Sequence, residues 1–295
     1  MMSITLKNIT KVYGKKVALD NVSIVLEKPG IYSILGPNGS GKSTLLRIIA
    51  GLVNQSSGKV IRLRNGSRIY IQDFLEHSGV ALGSPIFRPS MSGRDLLTLA
   101  SKIKGIKNID EEIANVSRLM QIDVFLDEEM RNYSSGMLQR TLLANALVGG
   151  PEILLLDEPS AGLDPKSRVI VHDLIQSISR SKDRIVFFST HDIWEADVLS
   201  DYSVIIENGR MVSNWTDISR KDHYFCTLSS ADSSNVQNGS LLNPQSLTHI
   251  VTGEGEWEKF REEHEGEILE YHRCSSFMAE YASERSTEKN CIMQK

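Results

Sequence analysis

Residues 36–44 read Gly-Pro-Asn-Gly-Ser-Gly-Lys-Ser-Thr, between an apolar run at 31–35 and a helix-forming run at 45–50. At a passage from strand to helix, this Gly-x-x-x-x-Gly-Lys-Ser pattern lets backbone N–H groups converge on phosphate oxygens at the positive end of a helix. Gly36, Gly39 and Gly41 leave room for that approach, and Pro37, Asn38, Ser40 and Thr44 complete the loop and its exit. Lys42 is placed to reach β- and γ-phosphates, and the Ser43 hydroxyl to ligate Mg²⁺. The chemistry implied is the holding of a nucleoside triphosphate.

A second run, Ile153-Leu154-Leu155-Leu156-Asp157-Glu158, is an apolar strand ending in two carboxylates. Beside a triphosphate, Asp157 can hold Mg²⁺ through water. Glu158, expected to face the other way along the strand end, can polarise an attacking water as general base. A third run, Tyr133-Ser134-Ser135-Gly136-Met137-Leu138-Gln139-Arg140, stands directly ahead of an apolar helix. Ser134 and the N–H groups of Ser135 and Gly136 cap that helix, whose positive end can bind a γ-phosphate.

The elements that must position these residues follow from periodicity. Apolar residues alternate at Ile4, Leu6 and Ile9 and again at Val22, Ile24 and Leu26, which predicts antiparallel strands with a turn near 13–16. Between Met91 and Met130 the apolar residues recur at helical spacing, as in Ile113, Val116, Leu119 and Met120, so a helical insertion is expected. Helices are predicted at 135–148, 165–181 and 192–199, and strands at 153–157 and 184–189. Strands alternating with helices imply a largely parallel sheet covered on both faces. Asn208-Gly209 between 202–207 and 210–212 is a hairpin signal that should close the first domain. Beyond it, strand-like segments at 224–228 and 247–251 flank a Ser/Asn/Gly-rich stretch. A helix at 256–264, a strand at 267–272 and a helix at 276–284 follow, so a small α+β domain is expected there.

Composition narrows the function. The chain has 295 residues, 40% hydrophobic and 24% charged, with a net charge of −4, which argues against a general nucleic-acid binder. Acidic charge collects in 214–295, where 8 Lys/Arg face 14 Asp/Glu. The start carries no basic segment followed by an apolar stretch, and no apolar run approaches the roughly 20 residues a membrane span needs. No direct membrane span is therefore expected. Cys226, Cys274 and Cys291 lack metal-ligand spacing and fit reduced thiols in a cytoplasm.

With these motifs in hand, the chain resembles the ATP-binding cassette (ABC) ATPases. Residues 133–137 match the Tyr-Ser-x-Gly-Met form of their signature, found among single-cassette transporter subunits. Over about 4–212, Ser160-Ala161-Gly162-Leu163-Asp164 resembles the family's D-loop at the dimer seam, and Thr190-His191-Asp192 its switch histidine, which contacts the γ-phosphate. Tyr13 sits where the family stacks an aromatic ring on adenine. One position departs: the family's Gln at the end of the strand before the helical insertion aligns with Gly83, with Gln72 the other candidate.

The resemblance implies an α/β fold of the P-loop NTPase type: a mostly parallel sheet with an antiparallel β subdomain and a helical subdomain at about 84–148. The cassette would span 1–213 and an accessory domain 214–295. It further implies ATP and Mg²⁺ as ligands. In the family, ATP is sandwiched between residues 36–44 of one cassette and Ser134, Ser135, Gly136 and Met137 of a second, in a homodimer or heterodimer. Hydrolysis would involve Glu158 and His191. The partner would be an integral membrane permease docked near 84–93, placing the chain in the cytoplasm at the inner face of the cell membrane. The signature form and the single cassette lean toward export. The alternatives are a soluble ATPase of this family acting in translation or on DNA, and a slow nucleotide-sensing module.

Overall fold

The structure is a computed structural model that describes residues 1–83, 88, 90–179, 184–213, 216–217, 223–228, 240–243, 248–252, 254–263 and 268–274. It divides into two compact units, Met1–Asp192 with Tyr202–Trp215, and Ile193–Asp201 with Thr216–Lys295.

In the first unit, β1 (Met2–Tyr13) and β2 (Lys16–Leu26) form the expected antiparallel pair, closing at Tyr13 opposite Lys16. Their alternation buries Ile4, Leu6, Ile9, Val22, Ile24 and Leu26 on one face. β3 (Gly30–Leu35) is buried along its whole length and feeds α1 (Lys42–Ile49) through the glycine-rich loop. β4 (Ser57–Arg64) pairs with β1, and β5 (Ser67–Arg68) extends this sheet to the order β2-β1-β4-β5. β4, β5 and the short α2 (Ile71–Glu76) leave no clear apolar alternation in the sequence. The reason in β4 is that arginines occupy alternate positions: Arg62 donates to Ile48 O and Ile49 O at the end of α1, and Arg64 to Glu152.

β6 (Ser78–Ala81) leads into the helical region of α3 (Gly93–Ile103), α4 (Ile109–Met120), a 3₁₀ turn at Met130–Asn132 and α5 (Ser135–Leu147). β7 (Ile153–Asp157), α6 (Pro165–Ser179) and β8 (Ile185–Thr190) follow. After α7 (Ile193–Leu199), which falls in the second unit, come β9 (Tyr202–Glu207) and β10 (Arg210–Met211). The strands lie in the order β10-β9-β3-β8-β7-β6, parallel except for the β9–β10 hairpin. Leu45, Leu46, Ile49 and Phe74 fill the core between this sheet and the antiparallel one. β3, β7 and β8 sit side by side and are buried on both faces, so their carboxyl ends come together at one edge. That edge is where an open parallel sheet binds its ligands.

The second unit contains β11 (Thr216–Asp217), β12 (His223–Leu228), β13 (Ser240–Asn243), β14 (Thr248–Thr252), α8 (Glu254–Glu263) and β15 (Ile268–Cys274). Its sheet is antiparallel in the order β13-β14-β12-β15, and Trp257 and Phe260 of α8 are buried. The helix expected at 276–284 lies outside the described residues, as do Ser84, Pro85, Ile86, Phe87 and Pro89. Among the described residues, no helix is long and apolar enough to cross a membrane.

Candidate active site

The glycine-rich loop leaves β3 in a path that only glycine permits at its first position. A Cβ on Gly36 would lie 2.2 Å from Ile206 O and 2.9 Å from Ser40 Oγ. Lys42, 4% exposed, opens α1; its Nζ donates to Gly36 O at 2.8 Å and Pro37 O at 3.1 Å and lies 3.6 Å from Glu158 Oε1. Its charge therefore sits at the centre of the loop, among oxygen acceptors.

One residue further, Ser43 Oγ donates to Asp157 Oδ1 at 3.0 Å, joining the start of α1 to the end of β7. Glu158 departs from the sequence expectation. It does not continue the alternation of β7, because the chain turns into the left-handed region at φ 48° and brings the carboxylate back into the site. For a residue with a side chain this costs of order 1–3 kcal/mol and persists only where the surroundings enforce it. The enforcing contacts are bonds from the Glu158 N–H to Ser189 O (3.2 Å) and Ser189 Oγ (2.9 Å) of the neighbouring strand. Glu158 Oε2 lies 3.3 Å from His191 Nδ1, one residue past β8. The His191 turn is closed by Asp192 N–H donating to Thr190 Oγ1 at 3.0 Å.

Of these groups Lys42, Ser43 and Glu158 line a cleft of about 520 Å³, together with Tyr13, Lys16, Asn38 and Thr44. Tyr13 ends β1 with its ring exposed and the Lys11 ammonium 4.8 Å from the ring centroid. An aromatic face at the rim and a cationic, amide-lined floor suit a nucleotide, base outward and phosphates inward. Mg²⁺ prefers hard oxygen ligands and keeps several waters. Ser43 Oγ and the Asp157 carboxylate fit it, as the two protein donors beside the phosphate loop. No cluster of three or more His, Cys, Asp or Glu stands among the described residues, so the remaining ligands would be waters and phosphate oxygens.

The signature residues lie elsewhere on the first unit and are absent from the lining of this cleft. Ser134 caps α5, accepting from Met137 N–H at 3.2 Å, while Ser135 starts the helix. Gly136 sits against the next helix: a Cβ there would meet Ser167 Oγ at 3.2 Å and Asp164 Oδ2 at 3.5 Å. Asp164 in turn caps α6 through Ser167 Oγ (2.7 Å) and N–H (3.0 Å), and these bonds hold its carboxyl below the usual range. Gln139 Nε2 donates to Pro159 O at 3.2 Å, tying α5 to the turn after β7. Ser160 and Leu163 are buried and Gly162 exposed, and Asp164, at the end of the D-loop, lies beside Gly136 of the signature.

Gly83 lies two residues past β6, whose Ala81 is level with Leu156 of β7; Gln72 lies in α2, before β6, with its side chain exposed. Sequence reasoning passed over Gln139 as a tether and Ser189 altogether. The available signal for Ser189 was a hydroxyl at the end of an otherwise apolar buried strand, two residues before His191.

Residues 19–161 match the family model described as ABC transporter. A probable sulfate/thiosulfate import ATP-binding protein from Chlorella vulgaris is 32% identical over 225 residues, covering 75% of this chain and 94% of the relative. The bacitracin transport ATP-binding protein of Bacillus licheniformis is 32% identical over 207 residues, 70% of this chain and 67% of that one. Among solved structures, the dimeric structure of MJ0796, a bacterial ABC transporter cassette, superposes with a TM-score of 0.65 at 24% identity, over 72% of this chain and 98% of that one. On the first of these relatives and the family model together, the chain belongs to the ATP-binding proteins of ABC transporters, a family of ATPases.

Proposed function

We propose that the chain is the ATP-hydrolysing subunit of a membrane exporter, with residues 1–213 as the cassette and 214–295 as an accessory domain. The observation that carries this reading is the convergence of Lys42, Ser43, Asp157, Glu158 and His191 at one end of β3, β7 and β8. ATP enters with its base on Tyr13 and its phosphates on the N–H groups of residues 36–44. Lys42 offsets phosphate charge as negative charge builds on the leaving group. Glu158 takes the proton of the attacking water, and His191, beside its Oε2, orients it and contacts the γ-phosphate. Ser43 and Asp157 would hold Mg²⁺, which when bound would supply positive charge to offset that of the phosphate oxygens.

Ser134, Ser135, Gly136 and Met137, with the D-loop residues Ser160, Gly162, Leu163 and Asp164, then serve the site of a second cassette. ATP closes the pair, hydrolysis reopens it, and the motion works a separate integral membrane permease at the inner face of the cell membrane. Support for a pairing surface is that the signature residues sit outside the cleft lined by their own chain's phosphate loop. Export rests on the signature form and the single cassette alone; the similar proteins include an import ATP-binding protein as well as a bacitracin transport ATP-binding protein.

The decisive experiment is Glu158→Gln in the presence of the permease partner. Loss of the base should lower kcat by about 10²–10⁴-fold while ATP binding is kept, so that size-exclusion chromatography with ATP finds a trapped dimer. Wild-type turnover in the variant, or a nucleotide-bound monomer, would overturn the assignment. Copurification with an integral membrane protein tests the permease.

A further inference from the structure

Ser189, fully buried in β8, has a hydroxyl with one proton to give and lone pairs to accept, and both are used at the site. It donates to Asp157 Oδ1 at 2.6 Å and accepts from the Glu158 N–H at 2.9 Å. The same Asp157 oxygen accepts from Ser43 Oγ at 3.0 Å, so two hydroxyls from two elements clamp one carboxylate oxygen. The amide that Ser189 holds belongs to the residue with left-handed backbone, Glu158. Without the hydroxyl, that amide keeps only the longer bond, 3.2 Å, to Ser189 O, and Asp157 loses the shorter of its two restraints.

We propose that Ser189 is a positioning residue for both halves of the hydrolytic chemistry. One hydroxyl sets the rotamer of the carboxylate that would hold Mg²⁺ and pins the strained turn that presents the base. The inference rests on the functional reading above. It also accounts for the coherence of the site: β8 delivers His191 two residues later, so one strand end registers metal ligand, base and histidine together. Groups that orient a metal ligand typically change metal affinity or activity by 10–100-fold when removed.

The test compares Ser189→Ala, Ser189→Thr and Ser203→Ala in the full chain. Ser203 is an internal control: its fully buried hydroxyl bonds Ser33 Oγ at 2.8 Å in the same sheet, away from the carboxylates. In a Glu158→Gln background, which slows turnover enough to keep ATP intact over the titration, Mn²⁺ binding to the protein–ATP complex is titrated by electron paramagnetic resonance. Ser189→Ala should weaken Mn²⁺ by about tenfold or more and, with Glu158 restored, lower kcat by about tenfold at an ATP KM within about twofold of wild type. Ser189→Thr, which keeps the hydroxyl, should recover both, and Ser203→Ala should disturb neither.

Wild-type Mn²⁺ affinity and kcat in Ser189→Ala would overturn the inference, as would equal losses in Ser203→Ala. A threonine variant that melts like wild type yet is as impaired as alanine would overturn it too. If the extra methyl lowers the melting temperature, the two alanine variants decide. Hydrolysis that does not depend on Glu158 sinks the functional reading, whereas Glu158-dependent hydrolysis indifferent to Ser189→Ala sinks only this inference.

Discussion

At the residue scale, the site is built by backbone conformation as much as by side-chain type, and Gly83 shows this away from the carboxylates. Its φ is 75°, in the left-handed region. Space is not the constraint, since a Cβ there meets only an Arg47 guanidinium nitrogen at 3.6 Å, an ordinary contact. Gly83→Gln should therefore cost about 1–2 kcal/mol in chemical denaturation through backbone strain, and should not raise basal ATP hydrolysis. Gln72→Ala, on an exposed face of α2, should stay within about 0.5 kcal/mol of wild type and keep its hydrolysis rate. A large drop in hydrolysis with Gln72→Ala would instead assign Gln72 the role that Gln has in the family.

At the element scale, α3 is fixed at both ends. Ser92 and Asp95 form a capping box, in which Ser92 Oγ accepts from Asp95 N–H and Asp95 Oδ2 from Ser92 N–H at 2.9 Å. The bond from the Ser92 N–H, then that from its hydroxyl, hold the Asp95 carboxyl below its usual range. A depressed carboxylate contributes fully above its unfolded pKa, and the contribution is lost as pH falls through the folded one. Ser92→Ala should thus cost about 1 kcal/mol in urea denaturation at neutral pH. The difference from wild type should shrink in acid, below the usual carboxylate range. At the other end, Lys104 Nζ donates to Ser78 O at 2.9 Å and Val148 O at 2.8 Å, joining α3 to the start of β6 and the end of α5. Burial pushes its ammonium down. Lys104→Met keeps most of the stem but strips two carbonyls of their donor. The expected loss is about 1–3 kcal/mol by the same measurement, and no loss would mean that water replaces the ammonium.

At the scale of the whole molecule, every nucleotide motif lies before Val212, yet the chain does not divide at one point. Ile193–Asp201 groups with the C-terminal segment although Tyr202–Trp215 returns to the first unit. In α7, Ala196 and Leu199 are buried. Deleting 214–295 should therefore preserve ATP binding, read by fluorescent-nucleotide titration, while lowering the melting temperature because α7 loses the unit it belongs to. A soluble, folded truncation without ATP binding would show that the C-terminal unit completes the site.

The sequence by itself determined the loop, the strand ending in Asp157-Glu158, the capped helix at Ser134 and the alternation of strands with helices. Each is a local pattern, in which composition and spacing dictate conformation over a few residues. The elements it concealed are those whose inward positions carry charge, as Arg62 does in β4, because their partners lie on distant helices and strands. Only the tertiary structure decided that Glu158 turns back into the cleft, that Ser189 holds both carboxylate residues, and that Gln139 ties α5 to Pro159. Those relations depend on which strands and helices lie side by side, and a hydrogen bond across that separation leaves no periodicity in the chain.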